Sequence, residues 1–90
     1  MASTVVALGR VYATESVLAA VSLEELQRCI ARHQVGDWGA VEPEDQVAND
    51  RAVREGSRIL SAYDCSHGVR IWIITEADRS STTLLLPKEY

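Results

Sequence analysis

The chain is short of bases. Eight of its nine are Arg and Lys88 is the one lysine, set against 13 acids for a net charge of −4. Phosphate contacts supply most non-specific affinity for nucleic acid and need clustered Lys and Arg, so direct binding to DNA or RNA is not expected. Long apolar runs are also missing: none approaches the ~18–20 residues of a membrane span. Met1-Ala2-Ser3-Thr4-Val5 has neither the basic start nor the cleavage pattern of a signal peptide, so export is not expected. Cysteine is scarce, and Cys29 and Cys65 fit free thiols in a reducing cytoplasm. Neither a Gly-rich phosphate loop nor a G-x-S-x-G nucleophile elbow occurs. Repeats, low-complexity segments and internal linkers are absent, and 90 residues leave space for a single core.

What is present is strand-forming sequence near the C-terminus. Val69-Arg70-Ile71-Trp72-Ile73-Ile74-Thr75 is β-branched and aromatic almost throughout, and Thr82-Thr83-Leu84-Leu85-Leu86 follows after six polar or small residues. Such a pair reads as adjacent antiparallel strands. Their near-continuous apolar runs predict central strands with at least one face covered by helices. Arg58 to Tyr63 forms a further strand, turned into Val69–Thr75 by Asp64-Cys65-Ser66-His67-Gly68.

Earlier in the chain, Thr4 to Tyr12 has strand composition, with Gly9 marking a bulge or bend. Thr14 suits the N-cap of a short helix from Glu15 to about Val21. Ser22-Leu23-Glu24-Glu25 reads as a capping box opening a helix to about His33. Leu23, Leu26 and Ile30 share one face of it, with Cys29 and His33 beside them, and His33 stands where a helix C-terminus favours a cation. Gly36-Asp37-Trp38-Gly39 is a tight loop with its indole tucked inward. Pro43 opens a third helix to Glu55, stopped by Gly56. Its apolar stripe is Val47, Ala48, Ala52 and Val53, and its outer face Gln46, Asn49, Asp50 and Arg54. The order β-α-α-loop-α-β-β-β predicts an α+β fold. We expect one small domain, its sheet of three to four strands mainly antiparallel and packed by two to three helices.

Several residue sets bear on chemistry. Cys29-x-x-x-His33 and Cys65-x-His67 supply four N/S ligands, the number a structural zinc site takes, but neither spacing matches the usual zinc pairs. They read more simply as a core thiol, a helix-end imidazole and two turn residues. A Cys–His nucleophile would need an orienting group and an oxyanion hole, which nothing in the sequence announces. Glu76-x-Asp78 places two carboxylates near a strand end, yet Arg79 is adjacent and Asp78 suits hydrogen bonding to its own turn. No cofactor or metal is expected, and no enzymatic activity.

The remaining feature is charge arrangement. From Asp37 to Asp50 there are five acids (Asp37, Glu42, Glu44, Asp45 and Asp50) and no base. Glu44 and Asp45 suit a helix N-terminus, and Asp50 can pair with Arg54 one turn on. A protruding acidic surface, extended by Glu76 and Asp78 and by Glu24 and Glu25, would also fit a groove built for nucleic acid.

The blocks His33-Gln34-Val35-Gly36-Asp37-Trp38-Gly39 and Ile71 through Pro87, with Glu89-Tyr90, resemble a family of short bacterial, plasmid and prophage-borne proteins. These often carry the label of a type I restriction-modification M subunit. The similarity covers roughly residues 33–90. That label implies a DNA methyltransferase component, for which a chain of this length has no space. In kind, the chain is similar to anti-restriction and type I anti-CRISPR inhibitors. This resemblance implies a non-enzymatic DNA mimic that occupies the basic DNA-binding surface of a Cascade protein; a monomer is expected separately, because Arg10 and Arg70 would discourage pairing at a sheet edge. A regulatory or interaction module of a restriction-modification or other mobile-element system, using Trp38 or the hairpin, is the alternative.

Overall fold

A computed structural model describes residues 3–90. The elements follow the expected order: β1 (Arg10–Ala13), α1 (Glu15–Ala20), α2 (Leu23–Gln34), α3 (Pro43–Glu55), β2 (Ile59–Asp64), β3 (Arg70–Thr75) and β4 (Ser81–Leu85). The strands form one mixed sheet ordered β1-β4-β3-β2. β2–β3 and β3–β4 are antiparallel, a meander, whereas β1 joins the far edge parallel to β4. The two apolar runs are thus the two central strands.

The first strand is shorter than its composition suggests. Residues 3–9 lie outside the sheet: the amides of Val5 and Val6 donate to the Gln34 carbonyl, and Val6 is fully buried. Gly9 makes the bend, with φ +64°, and a Cβ there would stand 2.4 Å from the Arg79 carbonyl oxygen. Only glycine tolerates both the backbone angle and that approach.

The helix starts behave as local chemistry predicts. Thr14 Oγ1 accepts from Val17 N at 3.2 Å, and Ser22 Oγ accepts from Glu25 N at 3.2 Å. The capping box is only half formed, however. Glu25 turns to the β2–β3 connection, accepting from Ser66 N at 2.9 Å and Ser66 Oγ at 3.3 Å. Leu23, expected on the apolar face of α2, is 63% exposed; Leu26, Cys29 and His33 make that face.

Two clusters fill one side of the sheet. Val17, Val21, Leu26 and Cys29 pack on Tyr63, Ile71, Ile73 and Leu84, and Val6, Trp38 and Ala52 pack on Ile59. Between them lies His33, which corrects the expectation of a helix-end cation: it is fully buried. Thr82 Oγ1 donates to the Leu8 carbonyl at 2.8 Å, which commits its one proton. Thr75 Oγ1 must then donate to Thr82 Oγ1 (2.7 Å), and His33 Nε2–H to Thr75 Oγ1 (2.8 Å). Nδ1 is left to accept the Ser61 hydroxyl at 2.6 Å. The neutral Nε2–H tautomer therefore follows from the network. Burial, with Arg79's charge adding, pushes the imidazole down to about 4.

Helix α3 is rotated relative to its expected stripe. Val47 is 60% exposed and Ala48 also faces out, whereas Asn49 is buried. Asn49 Nδ2 donates to the Leu60 carbonyl at 2.8 Å, and Leu60 N donates to Asn49 Oδ1 at 3.3 Å. Beside it, Ala40 N donates to Ala62 O at 2.7 Å and Ala62 N to Trp38 O at 3.1 Å. Together they satisfy the outer edge of β2, the side a second chain would otherwise pair with.

Neither cluster includes Ala62, Ile74 or Leu85, which lie on the other face of the sheet with Leu60 and Trp72. Past β4 the chain folds onto this face as a 3-10 turn, Pro87–Glu89. Tyr90 meets Trp72 edge-on with ring centroids 5.5 Å apart, and its hydroxyl accepts from Arg58 at 2.6 Å.

Candidate functional site: an acidic helix start beside an aromatic groove

The acids singled out in the sequence do not form one continuous surface. Asp37 is exposed but matched: Arg32 Nε and Nη2 donate to its two oxygens at 2.7 and 3.2 Å, and Gly39 N donates at 3.2 Å. The guanidinium hydrogen bond holds its pKa below the usual carboxylate range. Arg32 also lies over the Tyr63 ring at 4.8 Å, and the Tyr63 hydroxyl donates to the Asp37 carbonyl at 2.7 Å. This ion pair orders the Gly36–Gly39 loop.

Asp50 accepts from Trp38 Nε1 at 2.9 Å. The expected pairing with Arg54 is displaced: that guanidinium donates to the Asp50 backbone carbonyl at 3.3 Å. Trp38 itself is buried beneath this bond, edge-on to His33, and lines a surface cleft with Val35 and Gly36. Glu76 lies 3.7 Å from Arg58 Nε. Asp78 accepts from Ser80 N at 2.9 Å, the turn role its type suggests, and hydrogen bonding to Ser80, through its side chain first and its amide second, lowers the Asp78 pKa. Glu25 is engaged by Ser66, as described.

Glu42, Glu44 and Asp45 differ from these. All three are exposed, and among the described residues no ion pair reaches any of them. The fold puts them together because Glu42 is the N-cap residue of α3, Pro43 its first helical residue, and Glu44 and Asp45 complete the first turn. Glu42 makes no side-chain cap; its carbonyl accepts from Asp45 N and Gln46 N instead. The carboxylates therefore add their charge at the positive end of the helix while staying free.

Beside this turn lies a groove of about 140 Å³, where Glu42 and Asp45 face Leu60, Trp72 and Arg70. Arg70 is already bound: its Nε and Nη2 donate to Asp64 at 2.7 and 3.1 Å across the β2–β3 pair. It sits on the central strand β3, so it plays no part in protecting the sheet edge, whereas Arg10 lies on the edge strand β1. Sequence reading missed this groove. Its one signal was the period-two placement of Trp72 and Ile74 within a run that otherwise looks continuously apolar.

The thiols and imidazoles do not converge as a metal centre. The β2–β3 turn does reach α2, bringing Cys65 Sγ within 3.9 Å of Cys29 Sγ. But both nitrogens of His33 are occupied by Ser61 and Thr75, and among the described residues no three metal-ligating groups cluster. Among the same residues no helix is long and apolar enough to cross a membrane. The class that these features define is a small α+β domain with a charged, partly aromatic surface site. Comparison with protein-family models, with characterised proteins and with solved structures finds no match to the chain.

Proposed function

We propose that this chain is a non-enzymatic, monomeric inhibitor of a type I Cascade complex, acting in the bacterial cytoplasm. Its acidic surface stands in for the phosphates of DNA on a basic Cascade groove. The observation that carries this reading is the unpaired carboxylate trio Glu42, Glu44 and Asp45 on the first turn of α3. Asp37 and Asp50 flank that turn in sequence, while Glu76 and Asp78 lie on the β3–β4 turn near the other end of α3, and the carboxylates of all four are engaged within the fold. Free carboxylates in a complementary potential raise association rate and specificity, whereas those already paired contribute little.

The test is a charge reversal confined to the trio: Glu42→Lys, Glu44→Lys and Asp45→Lys together. Asp37 is left intact because reversing it would strand Arg32 and loosen the loop. Binding to purified Cascade should fall by about 100-fold or more, from lost attraction plus new like-charge contacts. A second variant with Gln, Gln and Asn at the three positions removes charge without repulsion and should fall less. Undiminished binding by both excludes the acidic turn as the contact.

A second reading is favoured by the Trp72–Leu60 groove: an interaction module for a restriction-modification or other mobile-element protein, docking through aromatic contact. Trp72→Ala would weaken such a complex more than the Gln, Gln and Asn variant does, and added salt would leave its affinity unchanged.

A further inference from the structure

We infer that Cys29 and Cys65 are a modification site: a dithiol that closes to an intramolecular disulfide when a low-molecular-weight disulfide such as oxidised glutathione is the oxidant. This does not rest on the Cascade reading. The sulfurs come from different elements, 36 residues apart in sequence, and stand 3.9 Å apart. A disulfide needs about 2.05 Å, so closure asks the sulfurs to approach by somewhat under ~2 Å. The backbones are already clamped at this point, because Glu25 on α2 accepts both the amide and the hydroxyl of Ser66, the residue after Cys65. On the other side of the clamp the chain has freedom to adjust. Gly68 stands in open space there, since no heavy atom would meet a Cβ at it within 4 Å.

The two thiols differ in access, which sets the order of steps. Cys29 is buried and Cys65 half-buried. The Cys65 thiolate attacks one sulfur of glutathione disulfide, forming a mixed disulfide and releasing one glutathione thiolate. The Cys29 thiolate then attacks Cys65 Sγ, breaks the Cys65–glutathione bond and expels the second thiolate. The two protons lost by the cysteines end on the two glutathiones, so one disulfide is reduced as one forms. Burial holds the Cys29 thiol above its ordinary value. Burial, then the neighbouring Cys29 and Glu25, pushes Cys65 up to about 12. The pair is therefore slow at neutral pH and closes faster as pH rises, unlike a peroxide-sensing thiolate.

The experiment is intact-mass analysis of the full chain incubated with glutathione disulfide, followed by thermal melting. The expected product is lighter by two hydrogens, carries no glutathione and reverts with a dithiol reductant. Its melting temperature should be higher by roughly 10 °C, since the crosslink closes a long loop. Cys29→Ala should retain glutathione on Cys65, while Cys65→Ser should stay unmodified because Cys29 is shielded. An unreacted wild-type chain, a glutathione adduct that persists in it, or a crosslink that lowers the melting temperature would each overturn the inference.

Discussion

His33 shows how far one residue's chemistry is set by its neighbours. By type and position it suits a cation at the end of α2, and its sequence neighbours do nothing to contradict that. Only the sheet supplies Ser61, Thr75 and Thr82, and these come from three strands that nothing local to residue 33 announces. With the imidazole held down to about 4 when folded and near 6.5 when unfolded, the unfolded chain binds the extra proton first. The stabilising effect of a neutral His33 is complete above pH 6.5 and is lost as pH falls toward 4. The loss amounts to roughly 3 kcal/mol at the acid end. Asp37, Asp64, Asp78 and Glu89, whose pKa values are lowered by hydrogen bonds, contribute their own losses mainly toward and below the acid end of this window. A melting-temperature profile against pH should therefore fall between pH 6.5 and 4, and His33→Gln should flatten that limb. A wild-type profile that is level across this window would contradict the neutral, Nε2-protonated network.

Among the elements, existence and order are legible in the sequence, and facing is not. The Thr14 and Ser22 caps, Pro43 and Gly56 mark where the helices begin or end, and strand composition places the strands, although β1 starts only at Arg10. The orientation of α3 escapes because its apolar stripe is thin. Asn49 faces inward although it is polar, because its amide supplies the acceptor and the donor that the outer edge of β2 lacks. An amide that satisfies two buried backbone groups outweighs the modest apolar area of Val47 and Ala48. Asn49→Ala should accordingly cost about 2–3 kcal/mol, read as a lower denaturant midpoint, since Leu60 N and O lose their partner together. Asn49→Asp, which keeps only the acceptor, should also destabilise. A cost below ~0.5 kcal/mol in both variants would mean that water replaces the amide freely and that β2 is not sealed by α3. Glu25 makes a similar point: the capping box is legible, but the sequence does not reveal that Ser66 will claim its carboxylate.

For the whole molecule, the net charge of −4 is less informative than its distribution. A continuous acidic stretch in sequence becomes, in three dimensions, a loop held by Arg32–Asp37, an indole held by Asp50 and one free turn at the start of α3. Spacing along the chain could not separate these roles, because the partners Arg32 and Trp38 are fixed by loop geometry rather than by period. The same geometry covers the β2 edge, leaves β1 as the exposed edge, and places Trp72 beside the free acids. A partner approaching that side would meet negative charge first and an aromatic surface next. The most direct measurement is therefore equilibrium binding of the wild-type chain and the Glu42→Lys, Glu44→Lys, Asp45→Lys variant to purified Cascade, at low and at physiological salt. The account predicts wild-type binding that weakens as salt rises and a variant about 100-fold weaker or worse at low salt. Salt-independent binding, equally tight for both proteins, would contradict it.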